Sequence, residues 1–173
     1  MINKETFRKT EGRIYRYYKQ LKEIDKFEYI CRQLEEQKEK IRNDIKETNI
    51  FIEEESRSIT YEERVQTSST GSSYAENECI RQIEKLEKEW KYVRRKLLRK
   101  KARIRELERQ VTPLKYNINM LSEESKRFIE WKYAEGKSVD WIANKMYGGA
   151  RSTAYRKREE LVENIAQWYN IIE

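Results

Sequence analysis

The sequence predicts an all-α protein, two long helices followed by a small three-helix unit, and three observations carry that expectation. Only one Pro and five Gly interrupt the 173 residues, and Glu, Lys, Arg, Ile and Leu are abundant between them, a composition suited to uninterrupted helix. Apolar residues recur at helical spacing over two long stretches. After Pro113 the elements shorten, aromatics become denser and serines stand where helices would be capped. Because 40% of the residues are charged, no single large globular core is expected.

The first helix is expected over residues 3 to 55 as one long amphipathic element, with a bend allowed at Gly12. Its apolar stripe runs through Ile14, Leu21, Ile24, Phe27, Cys31, Leu34, Ile41, Ile45, Thr48 and Ile52, with charged residues between. In RSITYEERVQTSSTGSSY, residues 57 to 74, the periodicity stops and Ser, Thr and Gly take over, which reads as a loop. Its Thr and Val content also allows a short β-hairpin.

Periodicity resumes over residues 75 to 110. Ile83, Trp90, Leu97, Ile104 and Val111 fall seven apart, and Leu86, Val93, Leu107 and Leu114 fall three after members of that series, the seam of a coiled coil. Lys100 is the polar exception. Two such helices joined by a loop fold back most simply as a long antiparallel helical hairpin over residues 1 to 111. Charge supports the pairing: residues 91 to 105 carry nine Lys or Arg and no acid, and residues 4 to 22 are also basic. Pairing within one chain and pairing between chains satisfy the same heptads, and both stay open.

Thr112-Pro113 is expected to end the second helix, since Pro has no N–H to donate and disfavours helix at the residue before it. Residues 112 to 173 then form the second domain. Ser122 caps a helix through SEESKRFIEWKYA, with Phe128, Ile129 and either Trp131 or the Lys132 stem facing a core. Gly136 turns the chain, Ser138 caps VDWIANKM, and YGGA turns it again. The last helix runs from about Arg151 to Ile171, with Ala154, Leu161, Ile165 and Trp168 as its buried stripe and Tyr155, Val162 and Tyr169 beside it.

A short helix with a central small Ala, a tight turn and a longer basic helix is the pattern of a helix-turn-helix. On that reading the glycines make the turn, and the start of the last helix meets duplex DNA. Arg151, Ser152, Thr153, Tyr155 and Arg156 are the candidates for the groove, because N-terminal residues of such a helix reach base edges. Lys157, Arg158, Lys137 and Ser138 are candidates for phosphate. Arg94, Arg95, Arg99, Lys100 and Lys101 form a second candidate set for the DNA backbone, or else a solvated coiled-coil face. A net charge of +7 agrees with a polyanionic partner.

The same composition argues against other classes. With no His, and with two thiolates too few to fill a tetrahedral site, zinc is not expected, and no cofactor is expected either. No Gly-rich phosphate loop or nucleophile elbow appears, and no enzyme is expected. No apolar run has membrane-spanning length, so a cytoplasmic protein with reduced Cys31 and Cys79 is expected.

The stretch LSEESKRFIEWKYAEGKSVDWIANKMYGGARSTAYRKREELVENIA resembles the region-4-like helix-turn-helix of sigma factors. It resembles more closely the ArpU/RinA-like phage transcriptional regulators, through RSTAYR at the start of the recognition helix, and EERVQTSSTGSS is similar to their central linker. The resemblance implies a regulator of phage late genes working in the cytoplasm of a bacterial host. No segment similar to the promoter-melting region of sigma factors is present, so an activator or accessory factor is implied rather than a complete sigma factor. The hairpin is then left for homodimerisation or for contact with RNA polymerase. The alternative from another class is a small terminase-like DNA-packaging subunit, although in that family the DNA-binding unit usually comes first.

Overall fold

In the computed structural model, residues 3–50 and 74–172 are described, and all regular structure among them is helical. The elements are α1 (Lys4–Lys46), α2 (Tyr74–Asn119), α3 (Glu123–Ile129) continuing into a π-helical turn (Glu130–Ala134), α4 (Val139–Met146) and α5 (Arg151–Ile172). Among the described residues, no helix is long and apolar enough to cross a membrane. The loop expected over residues 57 to 74, with its possible β-hairpin, lies outside the described residues, except that Tyr74 begins α2. The chain divides into two compact units, Met1–Glu28 with Ala102–Glu173, and Tyr29–Lys101. The boundary drawn from the sequence at residue 112 falls inside α2.

In the Tyr29–Lys101 unit, Cys31, Leu34 and Ile41 of α1 and Val93 and Leu97 of α2 are buried. The other seam positions Ile83, Leu86 and Trp90 are half-buried, as expected for the seam of a helix pair. Polar pairs link the helices: Gln37 Nε2 donates to Glu89 at 3.1 Å, and Lys101 pairs with Glu35. Neither cysteine is in a disulfide; Cys31 is buried and Cys79 half-buried.

Helix α1 stops at Lys46 rather than near Glu55, so Thr48 lies beyond the helix and Ile52 beyond the described residues. The stop is a left-handed C-terminal cap. Thr48 has φ 51°, and the Asn49 N–H reaches back to the Asp44 carbonyl at 3.0 Å, the bond of a Schellman motif. A β-branched residue is an uncommon occupant of that backbone region, so the sequence carried no Gly or Asn signal at this position.

In the other unit, Ile14, Tyr17 and Ile24 of α1 and Ile104, Leu107, Val111, Leu114 and Ile118 of α2 are buried. Gln20 Nε2 donates to Gln110 Oε1 at 2.6 Å between them. The helix stop expected at Thr112-Pro113 does not occur, and α2 continues through Pro113 to Asn119. Pro113 is exposed, whereas Val111, Leu114, Asn117 and Ile118 are buried. Burial of that stripe on both sides of the proline outweighs one missing backbone bond, and the Thr112 hydroxyl donates to the Glu108 carbonyl at 2.6 Å in the same turn.

The last three helices form the head of this unit. Ser122 caps α3, its hydroxyl accepting from the Ser125 N–H at 3.3 Å, and Ser138 caps α4, accepting from the Trp141 N–H at 3.1 Å. The π-helical turn after Ile129 inserts one residue into the helical register, marked by the Glu135 N–H bonding the Glu130 carbonyl at 3.1 Å. The side chain that reaches the core is therefore Tyr133, while Trp131 and Lys132 are half-buried. Gly148 and Gly149, both with positive φ (55° and 88°), make the turn into α5, a conformation that side-chain-bearing residues adopt only with strain. Phe128, Ile129, Ile142, Ala143, Ala154 and Val162 are fully buried, and α4 and α5 are in contact. Leu161, Ile165 and Ala166 continue the buried stripe of α5, Trp168 is half-buried, and the Tyr169 side chain lies outside the described ones.

Candidate nucleic-acid interface

Helix α5 begins at Arg151, directly after the glycine turn. Ala150, which precedes it, has no side-chain acceptor, so this helix start lacks the hydroxyl cap that α3 and α4 have. No acid lies in its first turn. Ala154, Leu161, Val162 and Ile165 face the core. On a helix of about 3.6 residues per turn this turns Ser152 and Arg156 outward, and both are exposed, as are Arg151 and Tyr155, while Thr153 is half-buried.

The outward face is only partly cationic. Arg151 Nε pairs with Asp140 of α4 at 3.3 Å, the arginine exposed and the aspartate partly so. Lys157 pairs with Glu160 at 3.2 Å. Exposed Glu159 and Glu160 end the basic stretch, which confines it to the opening turns of the helix.

Arg158 belongs to a different environment from its neighbours. Its Nη2 and Nε bond Glu11 Oε1 of α1 at 2.6 and 2.9 Å, and its guanidinium lies 5.1 Å from the centre of the Phe7 ring. The Tyr133 hydroxyl donates to the same Glu11 oxygen at 2.9 Å, and Tyr15 stacks edge-on against Tyr133 at 4.8 Å. Burial, and after it the charge of Glu11, hold the Tyr133 hydroxyl well above the ordinary phenol range, so it remains a donor. Burial works against the Arg158 charge, but its hydrogen bonds and charge contact with Glu11 raise its pKa on balance. Lys22 Nζ adds a further tie, donating to the Ala134 carbonyl at 2.8 Å. Arg158 thus anchors α5 to the amino-terminal part of α1. Its position one helical turn from Ala154 and Val162, on the buried side, was the available signal.

At the start of α4, Ser138 is engaged as a cap. Lys137 is half-buried, 3.8 Å from Glu135 and 5.2 Å from the centre of the Trp141 ring. Lys145, which the sequence reading did not single out, approaches the same ring at 5.9 Å, and Trp131 meets it edge-on at 5.3 Å. Lys145 lies one helical turn after Trp141 on α4, and Lys137 just before the Ser138 cap reaches the same ring.

The second candidate set lies on α2. Arg94, Arg95 and Arg99 are exposed, and Lys100 and Lys101 are half-buried. Arg94 sits 5.4 Å from the centre of the Trp90 ring. Lys101 is committed to Glu35, and that hydrogen bond lowers the Glu35 carboxyl below its ordinary value. Among the described residues, no group of three or more His, Cys, Asp or Glu could hold a metal ion.

Comparison with protein-family models, with curated proteins and with solved structures gives no match for this chain.

Proposed function

We propose that the chain is a sequence-specific DNA-binding transcriptional regulator that reads duplex DNA with the start of α5. The observation that carries this reading is the exposed edge formed by Arg151, Ser152, Tyr155 and Arg156 on a helix that follows a tight turn. Contact between α4 and α5, with Ala143 and Ala154 both completely buried, supports assigning the pair to a helix-turn-helix, with α5 as recognition helix. Arg156 is assigned to a base edge, where its planar fork suits guanine, and Lys137 and Lys145 to flanking phosphates. Arg158 is assigned to holding α5 in place.

Within each unit, the polar pairs between α1 and α2 support the antiparallel hairpin reading. Exposed Tyr29, Tyr92 and Leu98 support a protein partner for the long helices, either a second copy of the chain or RNA polymerase. The resemblance of RSTAYR and its surroundings to phage regulators supports late genes as the target. The role is binding rather than catalysis.

The test is selection of bound sequences from random duplex at near-physiological salt, followed by mobility shifts with the recovered consensus. Arg156→Ala is expected to weaken consensus binding by about 1–3 kcal/mol and to relax discrimination at one base position. Recovery of no consensus, or unchanged discrimination by the variant, rejects the reading.

A further inference from the structure

The unit that contains the head holds a second cationic surface, which α5 does not use. Arg13, Arg16 and Gln20 of α1 and Arg109, Gln110 and Pro113 of α2 line a cleft of about 460 Å³. Three guanidinium groups, and no carboxylate, are among its lining residues. The Gln20–Gln110 hydrogen bond ties its two walls together, and Arg109 Nε leans on the Arg105 carbonyl at 3.4 Å. Arg105 and Arg109 also line an adjoining cleft with Glu108 and Thr112.

This cleft and the head occupy different faces of α1. Glu11 and Tyr15 make the contacts to Arg158 and Tyr133. At about 100° per residue, Arg13, Arg16 and Gln20 lie on the far side of the helix from them. Guanidinium groups gathered around one cleft repel each other, and an anion presenting several oxygens relieves that repulsion. A single carboxylate offers one charge and two oxygens to this set of cations. Closely spaced phosphates offer more of both.

We propose that this cleft is a binding site for closely spaced phosphate groups, whether of a free oligophosphate or of a nucleic-acid backbone, and that it works independently of α5. Nothing in it requires the DNA reading of α5.

The experiment is calorimetric titration of the full chain with inorganic tripolyphosphate and, separately, with a short duplex of arbitrary sequence. It compares wild type, Arg16→Ala/Arg109→Ala, and the charge-matched control Lys26→Ala/Lys40→Ala. All four positions are exposed, and helical circular dichroism confirms folding of each variant. Tripolyphosphate affinity is expected to fall roughly tenfold or more in the arginine variant, the loss of at least one charge-assisted hydrogen bond, and to stay within about twofold in the control. If the backbone of nucleic acid is the natural source, duplex affinity falls with it and the salt dependence of duplex binding loses about two ion equivalents. If a free oligophosphate is the source, duplex binding is unchanged. Arg156→Ala retains tripolyphosphate binding under either outcome, which separates this site from the α5 reading. Absence of tripolyphosphate binding to wild type, equal loss in the control, or stronger competition by a glutamate-rich peptide than by tripolyphosphate overturns the proposal.

Discussion

The three-helix head and the Tyr29–Lys101 unit are built from the same kinds of residues, yet they bury them differently. Head residues Phe128, Ile129, Ile142, Ala143, Ala154 and Val162 are completely excluded from solvent. In the Tyr29–Lys101 unit the buried positions each keep a few per cent of exposure, and Trp90 is half-buried although its indole nitrogen is enclosed without a hydrogen-bond partner. Short helices that cross can surround a side chain on all sides. A pair of long helices covers only the seam. The lesson is that stability per residue should be concentrated in the head, whereas a long heptad pattern secures register over many weakly covered positions.

The largest expected effect tests that contrast directly. Phe128→Ala should cost about 3–5 kcal/mol in chemical denaturation, well beyond any single seam truncation in the Tyr29–Lys101 unit, and an equal cost for Leu34→Ala would erase the distinction. Next, Glu11→Ala removes the shared acceptor of Arg158 and Tyr133 and should cost about 2 kcal/mol, because a half-buried guanidinium is left without its anion. Glu11→Leu combined with Arg158→Met should recover most of that loss, which separates an unpaired charge from lost packing. The smallest effect is at Glu35, whose ion pair with Lys101 is between side chains that are both substantially exposed. Glu35→Gln should cost no more than about 0.5 kcal/mol. Because Lys101 depresses the Glu35 carboxyl, this small stabilisation is complete above the usual carboxylate range and is lost as pH falls through the depressed value. Titration of Glu35 by carbon-detected NMR in wild type and Lys101→Ala checks the direction.

The contrast also explains what the sequence disclosed. The α-helical class, the apolar stripe of α2, the serine caps at Ser122 and Ser138 and the start of α5 at Arg151 follow local rules, and local rules are written in adjacent residues. Three features depend on tertiary packing and escaped the reading. Pro113 was expected to break α2, but burial of Val111, Leu114 and Ile118 carries the helix across it. The π-helical turn brings Tyr133 to the core where Trp131 or the Lys132 stem was expected, a change that no periodicity announces. Arg158 read as a surface cation because its partner, Glu11, lies far away in the chain. At the candidate interface, the outward face of Ser152 and Arg156 was legible from helical spacing, whereas the Lys137–Trp141–Lys145 cluster was only half seen.

The paired glycines before α5 have a bearing on how such a protein can diversify. Their left-handed backbone and the buried alanines fix the mounting of the helix from behind, and none of those constraints involves Ser152 or Arg156. Outward residues can therefore be exchanged without re-aiming the helix that carries them. On the DNA-reading role proposed for this edge, substitution there should alter sequence preference while leaving the melting behaviour of the chain nearly untouched, so preference and foldability are free to vary separately.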